Sequence, residues 1–223
     1  MDSKLSAMAD PICREVESLL AQCLDRYINS GRLREAASYA VMSGGKRIRP
    51  LLAYGAADAC GSRSELLMHG AAAVEMIHAY SLVHDDLPSM DDDDLRRGKP
   101  TVHVAFDEAT AVLAGDALQN MAYEVLTNAP ASDARKLICL QALTEAAGGR
   151  GMVSGQMMDI EQVGEQVSLQ QLQEMHSHKT GALIRASVRL GGISSTDANS
   201  DQLDALDEYA KALGLAFQIR DDI

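Results

Sequence analysis

Six carboxylates fall within ten residues, at Asp85, Asp86, Asp91, Asp92, Asp93 and Asp94, and Arg96, Arg97 and Lys99 follow directly. A charge run is most often a solvated loop. This one begins where a long apolar stretch ends, so Asp85 and Asp86 emerge from buried structure, where a carboxylate is costly unless a metal or cation matches it. On an unbroken helix Asp91, six residues on, would be turned about 240° from Asp85. Pro88 removes a backbone donor and disfavours helical geometry at Leu87, so the chain can leave the helix and fold Asp91 back. Oxygen-only ligands with room for water and phosphate suit magnesium better than zinc or copper, and the D-x-D-x-D-G loop that calcium favours is absent. Magnesium with a phosphorylated substrate is the chemistry implied.

Three further segments point to bound phosphate. Ser43-Gly44-Gly45-Lys46-Arg47-Ile48-Arg49-Pro50 puts three cations behind a Gly-Gly turn at an expected helix start, where free amides and the helix dipole favour anions. It lacks the GxxxxGK[ST] spacing of a nucleotide loop, and a basic turn capping two helices is the alternative. The forks of Arg96 and Arg97 suit phosphate oxygens, or neutralise the acidic loop. His176-Ser177-His178-Lys179-Thr180 is expected to open a helix with its Lys-Thr pair; histidines two apart do not share a helix face as a metal pair would. Phe217-Gln218-Ile219-Arg220-Asp221-Asp222-Ile223 ends an apolar helix in a second Asp-Asp pair. Two such helices facing each other would form a carboxylate-lined mouth above an apolar cavity.

The elements that hold these groups read as helices. Two Phe, six Tyr and no Trp, with Ala, Leu, Met, Glu and Gln common, favour an all-α fold. Asp10 with Pro11 reads as an N-cap with Pro at the first helical position, and Ser168 with Gln171 as a capping box. Gly61, Gly148–Gly149 and Gly191–Gly192 read as helix stops. From Ser64 to about Leu87, Gly70, Ala73, Val74, Ile77 and Ser81 recur at three and four, a small-residue stripe for a central helix.

A chain of 223 residues, 47% hydrophobic, supports one core, and with no repeat, linker or composition shift it reads as one domain, residues 1–223. A net charge of −12 argues against nucleic acid and anionic membrane. Cys13, Cys23, Cys60 and Cys139 form no CxxC pair and read as core thiols in a reducing compartment. No run is read as a membrane span, and MDSKLSAMAD lacks a basic-then-apolar signal, so a cytoplasmic location is expected.

Together GGKRIRP, DDLPSMDDDDLRRGKPT, HKTGALIRAS and FQIRDD resemble the short-chain trans-isoprenyl diphosphate synthases of the polyprenyl synthetase family, most closely its bacterial members that form farnesyl diphosphate. The likeness runs from about Tyr39 to Ile223. It implies an isoprenoid-synthase-type helical bundle around a central apolar cavity, a homodimer, and three magnesium ions that help join isopentenyl diphosphate to an allylic diphosphate. By the same resemblance Asp85, Asp86 and Asp91 form the first aspartate motif, with Asp85 and Asp91 as metal ligands and Asp221 a ligand from the second. Lys46, Arg49, His78 and Arg97 would hold isopentenyl diphosphate; Arg96 and Lys179 the allylic diphosphate; Thr180 and Gln218 would line the developing cation. Product length would be set by Ser81, one turn or about 6 Å below Asp85, and by Tyr80 as the stopper. Ideal rotation puts Tyr80 about 140° from Asp85, so its placement rests on the resemblance. Family members continue through a complete DDxxD and more helices, so the chain is expected to lack C-terminal helices. A geranyl or geranylgeranyl diphosphate synthase is the nearest alternative. A catalytically silent partner subunit is an alternative of another class, and a terpene cyclase would not need GGKRIRP.

Overall fold

A computed structural model describes the backbone of residues 3–221 and the side chains of residues 7–217. The helices are α1 (Ser3–Tyr27), α2 (Gly31–Met42), α3 (Ile48–Ala59), α4 (Glu65–Asp85), α5 (Val102–Ala105), α6 (Glu108–Thr127), α7 (Asp133–Ala147), α8 (Met152–Gln162), α9 (Leu169–His176), α10 (Ala182–Ser194) and α11 (Ser200–Asp221), with a π-helical segment, Ser177–Gly181, joining α9 to α10. Among the described residues the β structure is one small antiparallel ladder, β1 (Leu95–Arg96) and β2 (Lys99–Pro100), with Leu95 opposite Pro100. The expected all-α fold is the one observed.

α4 is the axis of the bundle. Most of its residues from Leu66 to Val83 are buried, with an unbroken run from Gly70 to Ile77, and α1, α2, α3, α6 and α10 pack around it. Small residues let neighbours approach: a Cβ at Gly70 would stand 3.5 Å from the Leu190 Cβ of α10. By length and composition α4 is apolar enough to cross a membrane, a run that the sequence reading passed over. With 72% of that apolar stretch buried by other helices, it is accounted for as a core helix.

Punctuation was partly as expected. Ser168 and Gln171 form the capping box of α9, Gly61 follows the Cys60 cap of α3 at φ 95°, and Gly148 caps α7. Asp10 and Pro11 start nothing: Pro11 lies inside α1, about two turns from its start, where it costs the helix a single backbone donor. Gly191 and Gly192 lie inside α10 and do not stop it. A Cβ at Gly191 would fall 2.0 Å from the Ala53 carbonyl oxygen of α3, and one at Gly192 2.7 Å from Leu203. Their glycines serve close helix packing. The four cysteines are free, and Cys23, Cys60 and Cys139 are buried while Cys13 is half-buried. Burial pushes the Cys139 thiol up to about 12 and Cys23 to about 11.

Candidate active site

Asp85 is the last residue of α4 and Asp86 its cap. Beyond Pro88 the chain turns back: the Met90 amide donates to the Leu87 carbonyl at 2.8 Å, Asp91 to Asp85 at 2.9 Å and Asp93 to Asp86 at 3.2 Å. Asp92 takes the left-handed conformation, φ 53°, that this tight return demands. The predicted break at Pro88 thus brings Asp91 to Asp85. Burial pushes the Asp85 carboxyl up to about 6; Lys179 and Arg96 oppose the rise, while Asp91 and Asp86 add to it.

Asp86 stands apart from that pair. It is 3% exposed and both its oxygens accept from Arg96 Nε, at 2.7 and 2.9 Å. Its geometry is that of a counter-ion and not of a free metal ligand, because the cap position turns its carboxylate toward the β1–β2 ladder that carries Arg96. Among the described residues no three His, Cys, Asp or Glu side chains converge to hold a metal. Asp85 and Asp91 fit a hard divalent ion as a pair, since their donors are all oxygen and a buried carboxyl favours a cation that would keep it ionised. The side chains of Gln218 and Asp221 lie outside the described residues.

A basic cavity of about 600 Å³ opens beside the start of α3, lined by Gly45, Lys46, Arg49, Glu75, His78, Arg97 and Phe217 among others. Gly44 and Gly45 have φ of 89° and 136°. The Arg97 guanidinium lies on Gly45, where a Cβ would meet Nη1 at 2.7 Å, and donates to the Gly44 carbonyl. Arg49 Nε is buried without a partner, and burial pushes the guanidinium down to about 10. Burial, with Arg49, Arg97, Arg96 and Arg47 nearby, holds His78 well below the usual imidazole range, so it is neutral. A cluster of cations around an orphaned guanidinium N–H is a site shaped for an anion. The sequence put three cations behind the Gly-Gly turn, but Arg47 turns inward and is 4% exposed.

An apolar cavity of about 380 Å³ lies under Asp85, between α4, α8 and the π-helical segment. Tyr80, Ser81, Met152, Gln156, Lys179 and Thr180 line it, and it shares Arg49 and His78 with the basic cavity. It wraps around α4, which is why both Tyr80 and Ser81 reach it although ideal rotation separates Tyr80 from Asp85. Tyr80 makes an edge-on contact with His84 at 5.7 Å.

Lys179 and Thr180 do not open a helix. They sit in the π-helical segment within a continuous rod, a widening common at functional sites. Glycines admit it: a Cβ at Gly155 of α8 would fall 2.0 Å from the Lys179 nitrogen, and one at Gly214 of α11 3.2 Å from the Gly181 Cα. Lys179 Nζ bonds Asp159 Oδ2 at 2.5 Å. Sequence reasoning missed Gln156 and Asp159. Their signal was two polar residues three apart on a Met-rich helix, one turn-face toward the cavity. Gln156 Nε2 is buried with no partner.

Residues 30–223 match the model of the polyprenyl synthetase family. The chain belongs to that family. The chain is 51% identical over 193 residues to the farnesyl diphosphate synthase of Haemophilus influenzae, covering 86% of this chain and 65% of that protein. It is also 51% identical to the farnesyl diphosphate synthase of Escherichia coli, covering 85% of this chain and 64% of that protein. The chain therefore spans just under two thirds of the length of both relatives. The crystal structure of a geranyltransferase from Legionella pneumophila superposes with a TM-score of 0.92 at 43% identity, over 97% of this chain and 78% of that one.

Proposed function

We propose that this protein condenses isopentenyl diphosphate with dimethylallyl or geranyl diphosphate, head to tail, to form farnesyl diphosphate. The observation that carries the reading is the pair of adjoining cavities, one basic and one apolar, that share Arg49 and His78 beneath a carboxylate mouth. A substrate with an anionic head and a second with a long apolar tail suit such a pair. We assign residues 1–223 to a single synthase domain that acts as a homodimer in the cytoplasm.

Lys46, Arg49 and Arg97 bind the isopentenyl diphosphate, and neutral His78 adds a hydrogen bond without a further charge. Arg96 and Lys179 bind the allylic diphosphate; Asp86 and Asp159 hold their cationic heads in place until it arrives. Asp85 and Asp91, with Asp221, would hold magnesium, three ions by the family likeness, which would supply positive charge against the negative charge growing on the departing diphosphate. The allylic carbon–oxygen bond breaks, and the Thr180 hydroxyl and Gln218 amide offer dipoles to the cation. The apolar walls exclude the water that would quench it. The isopentenyl alkene supplies the electron pair of the new carbon–carbon bond, and the proton it then loses goes to the released diphosphate. The tail descends past Ser81 and stops at Tyr80.

Purified protein incubated with labelled isopentenyl diphosphate, an allylic diphosphate and MgCl₂ is expected to yield a fifteen-carbon product. No magnesium-dependent product from the protein alone would overturn the reading in favour of a silent subunit. A twenty-carbon product would correct the chain length only.

A further inference from the structure

Arg47 belongs to the basic run by sequence and borders the basic cavity with its neighbours, but its guanidinium is bonded to other helices. It is the N-cap of α3, in the left-handed conformation at φ 48° and ψ 37°, with no side-chain cap bond at the helix start. A non-glycine residue there is strained and persists only where its surroundings over-determine it. The surroundings do so through the guanidinium. Nη1 donates to Glu75 Oε1 of α4 at 2.7 Å, Nε to Glu17 Oε1 of α1 at 3.1 Å, and Nη2 to the Val41 carbonyl of α2 at 2.9 Å. Arg47 and Glu75 are each 4% exposed. One side chain thus ties the start of α3 to three other helices.

Lys46 and Arg49 flank that fixed point, and both line the basic cavity. Glu75 lines it too and is one turn from His78 on α4; its charge acts on Arg49 and Arg97 as well as on Arg47. We infer that the buried Arg47–Glu75 pair is a positioning device for the isopentenyl diphosphate subsite, holding the left-handed turn that aims Lys46 and Arg49 at the diphosphate. The inference rests on the proposed function of the basic cavity. The Arg47 donors are taken by Glu17, Glu75 and Val41, which leaves Lys46, Arg49 and Arg97 to meet the diphosphate. A buried pair is a poor source of net stability, since apolar residues of similar volume often replace one without loss. Geometry is the property it supplies here.

That difference makes the test. The variant carrying both Arg47→Met and Glu75→Leu removes the pair without leaving a lone buried charge, and is expected to stay folded by circular dichroism. Its affinity for inorganic pyrophosphate, measured calorimetrically without magnesium, should fall about tenfold, as should its grip on isopentenyl diphosphate read as a raised KM, since small misplacements of binding groups are costly. KM for the allylic substrate and kcat should stay within about twofold of wild type. Unchanged pyrophosphate affinity and KM in the folded variant, or equal losses for both substrates, would overturn the inference. Should the double variant not fold, Arg47→Lys keeps the charge and removes the fork that reaches Glu75, Glu17 and Val41 together, and the same selective loss is expected; its absence overturns the inference equally. Wild-type protein that takes up no pyrophosphate would instead sink the diphosphate reading of the cavity before any variant is compared.

Discussion

The Asp91 amide donates to the Asp85 carbonyl at 2.9 Å, so main-chain bonds close the acidic loop. The carboxylates are displayed by a turn whose closing bonds join main-chain atoms and not the carboxylates themselves.

Asp85→Ala should therefore abolish magnesium-dependent turnover, by at least about a thousandfold, with helix content by circular dichroism unchanged. Near-normal activity would refute the metal role of Asp85.

Tyr80→Ala should lengthen the product and Ser81→Phe shorten it, because both side chains bound the cavity below Asp85. Tyr80→Phe keeps the ring against His84 and loses only the hydroxyl, so its product should match wild type. Chromatography of the dephosphorylated alcohols reads all three. Identical chains from Tyr80→Ala and Ser81→Phe would remove both residues from the length gauge.

His78 gives the protein a pH dependence of known sign. Its folded-state affinity for a proton is depressed by burial and by the surrounding arginines. As pH falls through about 6.5 the unfolded chain takes up a proton there that the folded one refuses, so stability is lost toward acid, at up to about 1.4 kcal/mol per pH unit. His78→Asn should flatten that slope between pH 7.5 and 5.5 in urea titrations. Parallel slopes for variant and wild type would show that His78 titrates normally.

Gly191→Ala should destabilise the protein by about 1–3 kcal/mol, because its Cβ would overlap the Ala53 carbonyl. Gly149, with open space around it, is the control, and Gly149→Ala should shift stability by no more than about 0.5 kcal/mol. Similar urea midpoints for the two would contradict the packing role.

What was legible in the sequence was what local rules decide. The Ser168–Gln171 box, the Pro88 break and the Gly44–Gly45 turn depend on neighbours a few residues away, and each is present. Arg47 and Gly191 were misread because their partners lie far along the chain, at Glu75 and Glu17, and at Ala53. A charged residue in a basic run points outward by default, and only tertiary contact reverses it. Tyr80 defeated ideal rotation because the cavity curves around α4. The π-helical segment has no local signature beyond its Gly181, since the contacts with Gly155 and Gly214 that accommodate it come from other helices.

At residue 155 two main chains meet with nothing between them. The height of the Lys179 ammonium over the pocket is thereby set by peptide atoms, which have no rotamers to drift among. Val153 and Met157, on the same helix and about half exposed, carry no such duty. The walls of the tail pocket can be rebuilt through them, and the range of hydrocarbon lengths retuned, while the lysine keeps its station.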